Sequence, residues 1–134
     1  MALLIDTSVL VDAERREEQY EQVLPGDEQD QEHSISAITV SELLHGVHRA
    51  VEEHRRALRR AVVEGMLARL EPIPITIEVA RIHAETWAGL EAAGEVIGVH
   101  DLWIAATALA HGLRIATTNA REFERVPGLS VLSL

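Results

Sequence analysis

Residues 3–11, Leu-Leu-Ile-Asp-Thr-Ser-Val-Leu-Val, hold the reading that decides the fold. An apolar run over residues 2 to 6 ends on Asp6, and Thr7 and Ser8 follow as natural N-caps ahead of Val9, Leu10, Val11 and Ala13. The pattern predicts a strand that turns directly into a helix, with a carboxylate at the junction. Outward from it, the acidic stretch 25–32 contains Pro25-Gly26 and predicts a surface loop before a short strand around Ser34 to Ala37. Thr39 is read as opening a second helix with Val40, Leu43, Leu44 and Val47 at helical spacing, and an Arg/Glu-rich helix is expected from about Val51 to Leu70.

Pro72 to Ile75 is a short strand candidate, and Thr76 caps a helix with Val79, Ile82, His83, Thr86, Trp87 and Leu90 along one face, ended by Gly94. After a turn at Gly98, Asp101 begins an apolar helix, Leu102 to His111, with Gly112 as its C-cap. A strand over Leu113 to Thr117, a helical turn over Arg121 to Arg125 and a last strand over Leu129 to Leu132 complete the series. Strands alternating with helices predict a three-layer α/β/α domain on a central parallel sheet, because parallel strands require crossover connections. Ligands bind such sheets outside the carboxyl ends of the strands. Asp6 ends the first strand, Glu42 lies in the first turn after the second, Asn119 follows the fourth, and Asp101 starts a helix that shares the same rim.

With 134 residues, the chain is expected to form a single domain over 1–134. There is no cysteine, so any metal is held by oxygen or imidazole, and hard cations are favoured. All twelve cationic residues are arginine, which excludes a Walker A lysine, Schiff-base chemistry and a phospho-receiver site. The formal charge of −10 argues against broad attraction to nucleic acid, so a nucleic-acid enzyme of this composition concentrates its cations locally. Asp6 interrupts the opening apolar run too early for a secretory signal, and no run approaches the roughly 20 apolar residues of a membrane span. A cytoplasmic protein without membrane contact is expected.

Each rim residue has an ordinary explanation. Asp6, Thr7 and Ser8 serve as caps; Thr39-Val-Ser-Glu42 matches a capping box; Asp101 complements a helix dipole; Asn119 suits a turn. Together these explanations weaken, because three carboxylates on one sheet edge repel one another unless something positive lies between them. Mg²⁺ or Mn²⁺ answers that need, prefers carboxylate ligands and suits phosphodiester hydrolysis.

Three segments now carry a family resemblance: LLIDTSVLV (3–11), ISAITVSELLHG (35–46) and VHDLWIAATALAHGLRIATTNAREFERVPGL (99–129). In that order they are similar to the PIN-domain pattern of VapC toxins, over nearly the whole chain. The resemblance implies a PIN-like α/β/α fold, a Mg²⁺- or Mn²⁺-dependent endoribonuclease, a homodimer, and inhibition by a cognate VapB-like antitoxin. It places the catalytic positions on Asp6, Glu42, Asp101 and Asn119. Asp6 and Asp101 become the principal metal ligands, and Glu42 completes the set through an intervening water or by orienting the attacking water. Ser8 and Thr117 become hydroxyls near the metal shell or the phosphate. Asn119, at a position where the family often has Asp and often Asn, is a weaker ligand than a carboxylate, so at most one well-occupied metal is expected in the free protein. A catalytically weak module that acts by binding RNA or antitoxin is the alternative.

Arg15 and Arg16 are placed to reach a substrate backbone; Glu122 is a further candidate at the edge of the site, behind Asn119 for the fourth position, with solvent or Arg125 as its other outlets. The cluster Arg55, Arg56, Arg59 and Arg60 reads as a solvated face paired with Glu52 and Glu53. His45 and His48 read as surface residues, His100 as the histidine that feels the site, and Trp87 and Trp103 as core or interface anchors.

Overall fold

The computed structural model describes residues 2–134. Five parallel strands, β1 (Leu3–Ile5), β2 (His33–Ser36), β3 (Glu71–Ile73), β4 (Arg114–Thr117) and β5 (Val131–Ser133), form one sheet in the order β3-β2-β1-β4-β5. Leu3 pairs with both His33 and Arg114, and Ile5 with Ala116. The crossovers are α1 (Thr7–Arg16), α2 (Ala37–Arg49), α3 (Glu53–Arg69), α4 (Ile77–Ala92), α5 (Val99–His111) and the short α6 (Ala120–Phe123). Among the described residues, no helix is long and apolar enough to cross a membrane.

The sheet separates two apolar clusters. Leu3, Ile5 and Ala116 face Val9, Leu10, Leu43, Val47 and Val63 of α1, α2 and α3. Leu4 and Ile115, the alternate positions of the same strands, face Ile104, Ala105, Ala108 and Phe123 of α5 and α6. Leu3, Leu4 and Ile5 are all fully buried, each worth about 1.5–3 kcal/mol. That double burial is why the strand reads as an unbroken apolar run. The chain lays β2 and β3 on one side of β1 and β4 and β5 on the other. The direction of winding thus reverses between β1 and β4, the place where an open α/β sheet leaves a crevice.

Several expected boundaries shift. Ser36, not Thr39, caps α2: its hydroxyl accepts from the Ile38 amide at 3.1 Å, and Thr39 lies buried within the helix. Asp6 holds the N-cap position of α1 without a side-chain cap bond, so Thr7 and Ser8 fall inside the helix. α5 begins at Val99, two residues before Asp101, and α3 begins at Glu53. β3 and β5 lie one to two residues away from their expected positions. A 3-10 turn, Gly26–Glu28, occupies part of the expected loop, and another, Tyr20–Val23, precedes it. Gly112 closes α5 at φ 63°, as its sequence context predicts.

Candidate active site

Asp6 leaves the carboxyl end of β1 and is almost fully buried. Its Oδ2 accepts from Ser8 Oγ at 2.6 Å and from Thr117 Oγ1 at 2.8 Å. Those hydroxyls are themselves anchored, because Ser8 Oγ accepts from the Thr118 amide at 3.1 Å and Thr117 Oγ1 from the Asn119 amide at 2.9 Å. The expected hydroxyl contacts of Ser8 and Thr117 are therefore made to Asp6. Burial pushes the Asp6 carboxyl above its usual range, against the lowering effect of the two hydroxyls, and Glu42 adds repulsion.

Glu42 lies in the second turn of α2, too far along to cap it. Its Oε1 accepts from Thr7 Oγ1 at 2.7 Å, and its Oε2 stands 3.5 Å from His100 Nδ1. The capping-box explanation of Glu42 is thereby removed.

Asp101 sits in the first turn of α5. Its carboxyl is pushed up to about 6, chiefly by burial and then by repulsion from Asp6, Glu122 and Glu42, with His100 opposing. Asp6, Glu42, Asp101 and Asn119 line one cavity of about 350 Å³, together with Thr7, Ser8, Asp12 and Arg15. Glu122 is not in that lining. Its Oε1 accepts from the Gly98 amide at 2.6 Å and its Oε2 lies 3.6 Å from Arg125, so it ties α6 to the segment entering α5. Among the described residues, no three His, Asp or Glu side chains already stand at ligand spacing around one point.

The family model of the PIN domain matches residues 3–129. The chain belongs to the PIN-domain family. It is 34% identical to the ribonuclease VapC of Rickettsia bellii, across 100% of this chain and 97% of that protein. The solved VapBC2 of Rickettsia felis, bound to a promoter DNA fragment, superposes with a TM-score of 0.89 at 27% identity, covering 100% and 99% of the two chains. VapBC-5 of Mycobacterium tuberculosis, a member of the VapBC family of toxin-antitoxin systems, gives 0.79 at 28% identity, covering 99% and 98%.

Within this PIN domain, Arg15 is the one arginine lining the acidic cavity among the described residues, whereas Arg16 pairs with Asp12 at 3.2 Å. The arginines of α3 are mostly engaged elsewhere than expected. Arg56 donates to the Ala50 carbonyl at the end of α2, and Arg59 pairs with Glu14 of α1 at 3.0 Å; only Arg55 turns to Glu52. His45 and His48 are exposed. His83 stacks on Trp103, with centroids 3.6 Å apart, and meets Trp87 edge-on. Thr7 and Asp12 are site residues that the sequence reading passed over. Asp12 was detectable, since Ser8, Asp12 and Arg15 recur at helical spacing on α1.

Proposed function

We propose that this PIN domain is a divalent-cation-dependent endoribonuclease that acts as a toxin and is neutralised by a VapB-like antitoxin. The observation that carries the reading is the meeting of Asp6, Glu42, Asp101 and Asn119 around one cavity, with no arginine paired to the carboxylates among the ion pairs of the described residues. The names of the relatives supply the RNA and the antitoxin. The donor set fits Mg²⁺ or Mn²⁺: hard oxygens, charge in excess, and an Asp101 carboxyl that burial first, and then repulsion from its acidic neighbours, pushes up to about 6. Asp6 and Asp101 would hold the ion, with Glu42 completing the acidic set. When bound, such an ion neutralises phosphate charge and makes water more acidic. Glu42 orients the attacking water, Asn119 offers its amide NH₂ to a phosphate oxygen, and Arg15 receives the neighbouring backbone phosphate.

Two apolar surfaces suit the expected partners. Val51, Leu58 and Val62 are exposed along a groove of about 730 Å³ beside α1 and α3, a surface fit for an antitoxin segment. Trp87, Val96 and Val99 are exposed around a second cavity of about 430 Å³ between α4 and α5, and we assign this face to the homodimer.

The test is incubation of the purified protein with single-stranded RNA. Cleavage is expected to appear with Mn²⁺ or Mg²⁺, to vanish with chelator and to be lost in Asp6→Asn. RNA that is bound and never cut, under all cation conditions, would move the protein to the binding-module reading. Light scattering checks the dimer, and a monomer at all concentrations would remove it.

A further inference from the structure

Thr7 stands immediately after Asp6, where a threonine ordinarily turns its hydroxyl onto nearby backbone. Here the hydroxyl reaches residues far away in sequence. Thr7 Oγ1 lies 2.7 Å from Glu42 Oε1, across 35 positions of chain, and 3.0 Å from Oγ1 of the fully buried Thr39. It carries one proton, and the carboxylate is both the nearer oxygen and the charged one, hence the stronger acceptor. Thr39 precedes Glu42 by one helical turn on α2, so the two oxygens bracket the Thr7 hydroxyl from the same helix. No cap bond holds Glu42, because Ser36 caps the helix instead. Its second oxygen is left facing His100 and the cavity.

We infer that Thr7 is a positioning residue for Glu42, fixing one carboxylate oxygen through its hydroxyl so that the other is presented to the reacting phosphodiester. The inference rests on the proposed RNA hydrolysis at this site. Ser8 and Thr117 orient Asp6 in the same manner. The first two helical residues after β1 thus act on different carboxylates, Ser8 holding the local one and Thr7 the distant one.

The experiment compares wild type, Thr7→Val, Thr7→Ala and Thr7→Ser, each alone and in a Glu42→Gln background. In the wild-type background, removal of the hydroxyl is expected to lower kcat on a short RNA by about 10- to 100-fold. KM should be little changed and the melting temperature within about 3 °C; Thr7→Ser should recover most of the rate. In the Glu42→Gln background the same substitutions should add no further loss, because the group they act through is already changed. In the metal-free protein, the ¹³C signal of the Glu42 side-chain carboxyl should move in Thr7→Val and Thr7→Ala and stay near its wild-type position in Thr7→Ser. A wild-type rate in both hydroxyl-free variants, equal losses in the two backgrounds, or a carboxyl signal unmoved by losing the hydroxyl would overturn the assignment. A wild-type protein that never cleaves RNA would instead overturn the proposed function, and the carbon signal would still decide the Thr7–Glu42 contact.

Discussion

The two ends of the central strands use the same residue types to opposite effect. At the amino end, Arg114 opens β4 and grips Glu28 through both carboxylate oxygens, at 3.0 and 2.6 Å. The adjacent His33 bridges the Tyr20 hydroxyl and the Glu28 carbonyl at 3.0 and 2.9 Å. The Arg114 guanidinium holds the Glu28 carboxyl below its usual range, and Glu28 raises Arg114 in return. At the carboxyl end, Asp6, Glu42 and Asp101 gather with hydroxyls and one histidine, and both aspartates are pushed upward. Charge matched within the chain locks an element in place. Charge left unmatched in a crevice is a demand for something from outside, which is why perturbed carboxylates mark candidate sites.

Replacing Asp101 by Asn should break the contrast most. RNA cleavage should fall by about 100-fold or more, as when a principal electrostatic group is lost from a reacting centre, while the metal-free protein gains stability. The pH dependence has a definite sign. In the folded chain Asp101 keeps its proton until about 6, whereas its ordinary value is 3.8. Its stabilising contribution is therefore fully present below the unfolded value and is lost as pH rises through the folded one. In chelator, the urea midpoint of the wild type should decline across that window, and Asp101→Asn should remove much of the decline. An unchanged slope would contradict the crowding of the rim.

Arg114→Met should act at the other end, on stability rather than on rate. The melting temperature is expected to drop by about 5 °C with the cleavage rate unaltered. Loss of cleavage without loss of stability would show that the two ends are not separate. The smallest effects concern the fourth polar position. Asn119→Asp adds a charge to the cavity lining and should tighten Mn²⁺ binding severalfold by calorimetry. Glu122→Gln should alter it by less than about twofold, since Glu122 is occupied with Gly98 and Arg125. Abolished binding in Glu122→Gln, with Asn119→Ala intact, would reverse the two assignments.

Much of this arrangement was legible in the sequence, for uneven reasons. β1 was readable because a strand buried on both faces is apolar at every position, and its end is marked by a charge. Asp6, Glu42, Asp101 and Asn119 followed from strand ends and helix starts, the places that topology sends to one rim. β3 and β5 slipped because they are three-residue edge strands with exposed or half-buried positions, which leave no alternation to fix register. The start of α2 was misplaced because Ser36 and Thr39 are both competent caps, and only the packing of Thr39 into the core decides between them. The Thr7–Glu42 contact had no local signature, since neither residue is unusual in its own segment.

The hydrogen bond from Thr117 to Asp6 spans 111 positions. Of the two hydroxyls that donate to Asp6, Ser8 follows it at once along the chain, whereas Thr117 comes only after those 111 positions. β1 likewise waits for β4 before it is flanked on both sides, and such distant parallel pairing comes late in folding. A chain proposed to cut RNA thus has no assembled cutting edge until α5 and β4, which bring Asp101 and Thr117, have joined β1.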